Sequence, residues 1–424
     1  MVTSEQPVPI PAAPDGSPPV DRTDIVVGVL TLNNAGTIES LVKAVVEGLR
    51  LSFPNVPALL VHCDAGSQDG TPGIVDRVAS GMVPLWMISN AMSTYANPTA
   101  ETGFPGRDES VRNLCLATER LEAKTCLLIE GNLRSLTPEW IEHLGRPVYE
   151  GGEDYVVPLY RRHRYEGTLV SNLLYPLIRA LYGTRLRYPS GGAYGLSGKL
   201  ARDLLKRPAW TGAAGKLSLD GWITTAALAG EYRVCHAYLG AKDQDSKLGT
   251  VDLSVLLAQT VGGIFHSMEE YETVWESIRG SKDVPLYGSA EPVPPPGTLP
   301  IDRMVSGFKQ GLRDLLPLWE LILSRETLEQ ILPLGMLEGE DFRFAPELWV
   351  QTVYDFALAY HDHTLHRQHM LKSLTPLYLG RTASFVLETR DGDAAQVEHT
   401  VDKLCRQFEQ SKPYLTERWR WRNE

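Results

Sequence analysis

The chain has 424 residues, of which 43% are hydrophobic, so a fibrous or wholly disordered protein is excluded. Its 41 lysines and arginines are outnumbered by 52 aspartates and glutamates, and the formal net charge of −11 disfavours nucleic acid as a partner. The five cysteines include no Cys-x-x-Cys pair, no apolar run reaches the ~18–20 residues of a membrane span, and no signal-peptide pattern opens the sequence. We therefore expect a cytoplasmic protein without a membrane span.

The amino-terminal half shows the pattern of an α/β protein. Residues 1–20 contain six prolines and almost no large apolar side chains, which predicts a disordered tail over 1–23. Continuous apolar runs then alternate with stretches of helical spacing, as in a mainly parallel sheet that is covered on both faces. The predicted strands are 25–30, 58–63, 83–88 and 125–129, and the predicted helices are 37–51, 71–78 and 111–121. We assign this domain to residues 24–250.

The carboxyl-terminal part, residues 251–424, is predicted to be a helical domain. Its helical stretches are 253–278, 304–323, 348–369 and 394–409. His363, His366 and His369 are spaced to share one face of the third helix, but no carboxylate or cysteine completes a familiar zinc pattern, and we interpret them as a polar helix face. The segment 373–381 is interpreted as helix punctuation and packing between domains.

Polar loops follow three of the predicted strands. The first is Thr31-Leu32-Asn33-Asn34-Ala35-Gly36-Thr37, the second is Asp64-Ala65-Gly66-Ser67-Gln68-Asp69-Gly70-Thr71, and the third is Glu130-Gly131-Asn132. Ligands of open α/β sheets bind at the carboxyl ends of strands, and a loop that opens a helix suits a nucleotide. A plain turn with a capping Asp64 would give the same local sequence. Both interpretations of the second loop stay open on this segment alone.

Taken together, the first two loops resemble the start of the GT-A nucleotide-sugar glycosyltransferases, whose second strand ends in an Asp-Gly-Ser-x-Asp-Gly-Thr turn. Further segments occur in the order of the retaining branch, which makes mannosylglycerate and glucosyl-phosphoglycerate: 133–140, 160–168, 189–197, 220–222 and 240–242. The resemblance implies a GT-A fold and hexosyl transfer, with retention, from a nucleoside-diphosphate sugar to a small hydroxy acid. The implied partners are therefore that donor and a glycerate-type acceptor, and a homodimer is left open.

The resemblance also implies roles for individual residues. Asp64 would recognise the base. The implied nucleotide-binding residues are Leu30, Thr31, Asn33, Asp64, Gly106, Arg107, Glu130 and Asn132. The implied catalytic residues are Asp220, Arg107 and Lys242. The implied acceptor-binding residues are Arg161, His163, Arg164, Thr168, Gly191 and Gly192. For the arginines among these last, a solvated strand end is the alternative interpretation.

The sequence departs from the family at the positions that hold a metal ion. Glu130-Gly131-Asn132 stands where the family has Asp-x-Asp, and Gln244 stands where related enzymes have a metal-binding histidine. Neutral amides bind hard cations more weakly than carboxylates do, so a site at Asn132 and Gln244 for Mg²⁺ or Mn²⁺ is predicted to be weak. Two interpretations follow. Either Arg107, Lys242 and Lys247 neutralise the diphosphate without a tightly held metal, or the chain is a degenerate transferase that binds a nucleotide or a partner.

Overall fold

The computed structural model describes residues 17–89, 104, 106–161, 165–187, 191–207, 210, 218–245, 252–289 and 299–421. They divide into two compact units that interleave along the chain. The first unit takes its described residues from Met1–Arg161, Ser190–Thr250 and Val284–Glu291, and the second from Arg162–Pro189, Val251–Asp283 and Pro292–Glu424. These units do not coincide with the contiguous ranges 24–250 and 251–424. The described residues of Arg162–Pro189 belong to the second unit, and those of Val284–Glu291 belong to the first. The domain boundaries stay a prediction.

An eight-stranded sheet forms the centre of the first unit. Its strands are β1 (Ile25–Thr31), β2 (Ala58–Asp64), β3 (Leu85–Ser89), β4 (Thr125–Glu130), β5 (Tyr155–Arg161), β6 (Ala193–Ser197), β7 (Val234–Ala241) and β8 (Leu286–Tyr287). They lie in the order β3-β2-β1-β4-β6-β5-β7-β8. β6 is antiparallel to β4 and β5, whereas the other adjacent pairs are parallel. The predicted mixed, mainly parallel sheet is therefore confirmed.

Helices cover both faces of this sheet. They are α1 (Ile38–Ser52), α2 (Thr71–Ala79), α3 (Arg107–Arg120) and α4 (Pro138–Tyr149), followed after an interval by α6 (Gly198–Leu205) and α7 (Leu219–Ala229). All seven residues of β1 are buried, which explains why its apolar run is continuous rather than alternating. Apolar side chains of α1 and α4 form one core with the strands. The carboxyl ends of β1, β2 and β4 consequently meet at one edge of the sheet.

The second unit is helical. It contains a π-helix (Val170–Leu174), α5 (Tyr175–Tyr182), α8 (Leu253–Glu270), α9 (Glu272–Ser277), α10 (Ile301–Asp314), α11 (Leu316–Ile322), α12 (Arg325–Ile331), α13 (Pro346–His361), α14 (Arg367–Ser373), α15 (Thr375–Thr389) and α16 (Ala394–Trp421), with 3₁₀ turns at Leu332–Met336 and Gly339–Asp341. Four fully buried tryptophans, Trp275, Trp319, Trp349 and Trp419, supply much of its core. Within the described residues, no helix is both long and apolar enough to span a membrane.

A buried lysine joins three helices of the second unit. The Lys412 ammonium on α16 donates hydrogen bonds to the carbonyl oxygens of Ala180 in α5 and of Trp275 and Ile278 at the end of α9. The last turn of a helix leaves carbonyl acceptors that the helix itself does not fully use, and the Trp275 carbonyl also accepts from the Ile278 amide at 3.3 Å. Burial lowers the pKa of Lys412 to about 8. A single side chain therefore satisfies the carboxyl ends of two helices.

One prediction about the helical part is wrong. The helix predicted over 348–369 ends at His361, and His363 has a left-handed backbone (φ 53) before α14 begins at Arg367. His363, His366 and His369 therefore do not share the face of one helix. The segment 373–381 contains the predicted helix boundary, since α14 ends at Ser373 and α15 begins at Thr375; the rest of the segment lies within α15.

Candidate functional site

Hydrogen bonds join the loop after β1 to the loop after β2. The Thr71 hydroxyl accepts from the Asn34 amide at 2.8 Å and donates to Asp69 Oδ1 at 2.5 Å. Asp69 Oδ2 accepts from the Ala35 amide at 2.9 Å, and Asn33 Oδ1 accepts from the Gln68 amide at 2.8 Å. The side chains of each loop thus satisfy the backbone of the other. The two loops form one preorganised surface at the edge of the sheet.

Asp64, at the end of β2, is the centre of this surface. Its Oδ1 accepts from the hydroxyls of Thr31 at 2.7 Å and Ser67 at 2.6 Å, and its Oδ2 accepts from the amides of Gly66 at 3.1 Å and Ser67 at 2.8 Å. A carboxylate has about four lone-pair positions, so all are used. Asp64 is 4% exposed. Base recognition by this residue therefore requires that a nucleotide share or replace one of these contacts.

A buried histidine lies behind Asp64 and was not identified from the sequence. His62 Nε2 is 2.8 Å from the Thr31 hydroxyl oxygen, whose single proton is donated to Asp64. The network therefore assigns the ring proton to Nε2. Burial lowers the pKa of His62 to about 4, against the opposing effect of Asp64. His62 is consequently neutral at physiological pH and supports Asp64 through Thr31, a role that no local motif signals.

The loop after β4 packs directly on the end of β1. The Gly131 amide donates to the Leu30 carbonyl oxygen at 2.8 Å, and the Thr37 hydroxyl donates to the Gly131 carbonyl at 2.6 Å. A Cβ atom on Gly131 would lie 2.7 Å from Thr31 Cγ2, which is closer than side-chain atoms approach. Glycine is therefore required here by the close contact between the loops.

A buried cluster of charges lies at the same edge. Arg107, the first residue of α3, donates from Nε to Glu130 Oε1 at 2.7 Å and from Nη2 to Asp220 Oδ1 at 2.7 Å. The three side chains are 1–3% exposed. We refer to Arg107, Glu130 and Asp220 as the charge triad. The preceding Gly106 has a left-handed backbone (φ 84), which lets α3 begin at Arg107.

Burial and neighbouring charges shift the pKa values of Glu130 and Arg107. Burial raises the pKa of Glu130; Arg107 opposes this effect and Asp220 adds to it. Burial would lower the pKa of Arg107, but Asp220 and Glu130 outweigh it, and the guanidinium stays charged. Oε2 of Glu130 and Oδ2 of Asp220 are enclosed and accept no hydrogen bond within the described residues. Arg107 thus engages one oxygen of each carboxylate, and the other oxygen of each is enclosed.

Three further groups surround the triad. Asp108 follows Arg107, and burial raises its pKa to about 6 while Arg107 opposes the rise. The Glu130 amide donates to the Gly192 carbonyl at 3.0 Å, and Lys242 Nζ would lie 3.6 Å from a Cβ on Gly192. Burial, together with the Asp220 charge, raises the pKa of Tyr194 well above its ordinary value. Asp108 and Tyr194 were not predicted as site residues; the sequence signal for Asp108 was its place beside Arg107.

Asn132 and Gln244, the residues of the predicted weak metal site, offer only neutral oxygens. Asn132 and Gln244 lie on adjoining segments, since the Asp245 amide donates to the Asn132 carbonyl and Leu133 bridges to Gln244. Their side-chain oxygens, Oδ1 and Oε1, are enclosed and without a hydrogen-bond partner among the described residues. Both are neutral, and within that part of the chain no group of three His, Cys, Asp or Glu side chains could hold a metal ion. A protein-held Mg²⁺ or Mn²⁺ does not suit this set.

The predicted acceptor residues are only partly brought together. Gly191 is held between two tyrosines, because its carbonyl accepts from Tyr160 and its amide donates to Tyr194. Arg161 ends β5 in the first unit. Thr168 belongs to the second unit, where its hydroxyl is 2.7 Å from that of Tyr378. His163, Arg164 and Lys247 lie outside the described residues, as does most of the predicted functional loop over 89–107.

Comparison with known proteins gives similar structures but no similar sequence. No family model matches the chain, and no curated protein matches it. A glucosyl-3-phosphoglycerate synthase from Mycobacterium tuberculosis, solved with Mn²⁺, UDP and its product, is 20% identical over 59% of this chain and 80% of its own, with a TM-score of 0.41. A mannosyl-3-phosphoglycerate synthase from Rubrobacter xylanophilus is 19% identical over 60% and 77%, with a TM-score of 0.43.

A mannosyltransferase from Pyrobaculum calidifontis, solved with GDP-mannose and Mn²⁺, is similar over a longer stretch. It is 13% identical over 90% of this chain and 91% of its own, with a TM-score of 0.41. The predicted fold class, α/β with a mainly parallel sheet and a helical carboxyl-terminal part, is confirmed.

Proposed function

We propose that this chain is a hexosyltransferase that moves a sugar from a nucleoside-diphosphate donor to a small hydroxy acid, of glycerate or phosphoglycerate type, with retention. The observation that carries the proposal is the convergence of two features at one edge of the sheet. The cross-linked loops around Asp64 offer a nucleoside surface, and the charge triad lies next to it through Glu130 and Gly131. Carboxyl ends of strands are where open α/β sheets bind ligands.

The nucleoside would be held by the loops after β1 and β2. Leu30, Thr31 and Asn33 line these loops, and Asp64 would accept a hydrogen bond from the base once a nucleotide competes for one of its oxygens. The fixed network around Asp64 means that little ordering is needed on binding, which favours affinity. Gly106 and Arg107 bring the start of α3 to this region.

The sugar would be oriented by the free oxygens of the triad. Glu130 Oε2 and Asp220 Oδ2 are acceptors without donors in the described part of the chain, and sugar hydroxyls are donors. Lys242, on the same side as Glu130 and Gly192, would meet the negative charge that develops on the leaving diphosphate. Arg161, Gly191 and Gly192, which all belong to the first unit, would hold the acceptor.

Retention follows if the acceptor attacks from the side that the diphosphate leaves. The bond from the anomeric carbon to the phosphate oxygen breaks, the acceptor hydroxyl oxygen bonds to the same face of that carbon, and the hydroxyl proton passes to the departing phosphate oxygen. No protein base is needed in such a step. The contribution of the chain is then mainly the positioning of donor and acceptor.

The test is a panel of donors and acceptors. Purified protein would be incubated with UDP-glucose, GDP-glucose or GDP-mannose, together with D-glycerate or 3-phosphoglycerate, and nucleotide release and product would be measured. We expect transfer with at least one pair, and a loss of at least about tenfold in Lys242→Met. Lys206→Met, which removes an exposed lysine of the first unit, is the control and should keep full activity. Nucleotide binding without turnover across the panel would favour the degenerate transferase instead.

A further inference from the structure

We infer that the Arg107 guanidinium is a built-in cation that occupies a dicarboxylate site between Glu130 and Asp220, so that this chain handles a nucleoside diphosphate without a divalent metal. The part of this inference that concerns the nucleotide rests on the proposed function. The part that concerns the dicarboxylate site does not, because it depends only on the charge triad.

The first argument is occupancy. One guanidinium contacts carboxylates from two elements, the end of β4 and the first turn of α7, at 2.7 Å each. Two buried carboxylates at the ends of one planar fork would repel each other strongly without a cation between them. In the folded chain that cation is covalently part of α3. A divalent ion at these carboxylates would have to share them with a fixed positive charge.

The second argument is the charge of the whole cluster. Glu130 and Asp220 carry two negative charges, and Arg107 and Lys242 carry two positive ones, which is the balance that a divalent ion would give to a pair of carboxylates. Asp108 adds a third carboxyl group, which is partly protonated near its pKa of about 6. Arg107 is committed to the two carboxylates by its hydrogen bonds, and Lys242 lies near Glu130 and Gly192 at the same edge.

The third argument is the donor set on the other side of the site. Asn132 and Gln244 provide neutral oxygens only, and these do not offset the cost of stripping water from Mg²⁺ or Mn²⁺ as carboxylates do. The loss of acidic ligands there and the presence of a guanidinium at Glu130 and Asp220 point in the same direction. The guanidinium supplies the positive charge that a metal ion held by acidic ligands would otherwise bring.

The dicarboxylate site can be tested by removing its cation. Manganese binding would be followed by electron paramagnetic resonance in the parent protein, Arg107→Ala and Arg107→Lys. We expect Arg107→Ala to bind Mn²⁺ at least about tenfold more tightly than the parent, because two carboxylates are released for the metal. Arg107→Lys should behave like the parent. Arg120→Ala, at the far end of the same helix, is the matched control, and Arg107→Ala combined with Asp220→Asn should lose the gain.

Arg107→Ala leaves two buried carboxylates unpaired and will be less stable, so its thermal unfolding is measured with and without Mn²⁺. The inference predicts that Mn²⁺ raises the melting temperature of Arg107→Ala and leaves that of the parent unchanged. No gain of Mn²⁺ binding and no such stabilisation in Arg107→Ala would overturn the dicarboxylate site. This outcome is independent of any nucleotide.

The nucleotide part is tested by calorimetry of the parent with UDP and GDP, in EDTA and in Mn²⁺. Equal affinity in both conditions is the expected result. Binding that requires Mn²⁺ would overturn the metal-free handling of the diphosphate and leave the proposed function standing. Absence of binding in both conditions would contradict the proposed function itself, and the resonance measurement would still decide the dicarboxylate site.

Discussion

Three carboxyl groups lie close to one guanidinium at the edge of the sheet, and burial determines what each of them can do. Glu130 and Asp220 share Arg107, and the second oxygen of each carboxylate is enclosed. Asp108 has no such contact for its enclosed Oδ1 atom within the described residues. Burial raises the pKa of Asp108 to about 6, and Arg107 only partly offsets this effect.

Asp108 should make stability depend on pH. Its folded pKa of about 6 lies above the ordinary value of 3.8, so between these pH values the folded chain holds more protons than the unfolded chain. The free energy of unfolding therefore falls as pH rises through this window. Asp108→Asn should raise it by about 1–2 kcal/mol at pH 7.5 and leave it unchanged at pH 4. Denaturant unfolding at both pH values checks this; an equal effect at the two would show that ionisation of Asp108 is not the cause.

At the scale of single residues, the sequence motifs name candidate residues but do not report which of them are in contact. Arg107, Glu130 and Asp220 were all chosen as site residues from motifs, but Arg107 was expected to face a diphosphate rather than two carboxylates. Asp220 follows Arg107 by 113 residues, and no sequence pattern reports that α7 brings its first turn to the start of α3. The support of Asp64 by His62 through Thr31 was missed for the same reason.

At the scale of the elements, the contact between the β4 loop and the end of β1 leaves no room for a side chain at Gly131. Gly131→Ala would place a Cβ atom 2.7 Å from Thr31 Cγ2 and 2.9 Å from the Leu30 carbonyl oxygen. We expect it to lower the free energy of unfolding by about 1–3 kcal/mol, because the strand end must shift. Gly36→Ala is the control, since a Cβ there meets no atom within 4 Å. Equal stability of the two variants in denaturant titrations would show that this contact is loose.

Elements were predicted well where one face or both faces of a segment are apolar. The first four strands and the helices between them follow from continuous or periodic apolar runs. Helix ends in the second unit were predicted less well, because His361 to Arg367 contains neither proline nor glycine. The break there occurs at His363, which is exposed and adopts a left-handed backbone, a conformation that histidine enters more often than most non-glycine residues do.

At the scale of the whole molecule, each unit combines segments that are far apart in the chain. The sheet of the first unit takes β8 from a point beyond α9, and the second unit combines α5 with α16 through Arg179, which contacts Asp402 and Glu409. Such pairings join residues that are far apart in sequence. Shifts in composition along the chain therefore predict that one part is α/β and the other helical, but they do not predict that segments of the two units alternate along the chain. The net charge of −11 implies that any site for an anionic nucleotide is made locally, by groups such as Lys242.

The central claim is that the edge of the sheet around Asp64 binds a nucleoside diphosphate, and calorimetry with UDP and GDP tests it most directly. The parent protein should bind at least one of them, and Asp64→Ala should weaken that binding about 10- to 100-fold, or roughly 1.5–3 kcal/mol, as expected for a lost hydrogen bond to a charged group. Asp76→Ala, which removes an exposed carboxylate of α2, is the control and should bind as the parent does. Circular dichroism would establish that Asp64→Ala is folded. No binding by the parent, or unchanged affinity in folded Asp64→Ala, would contradict the claim.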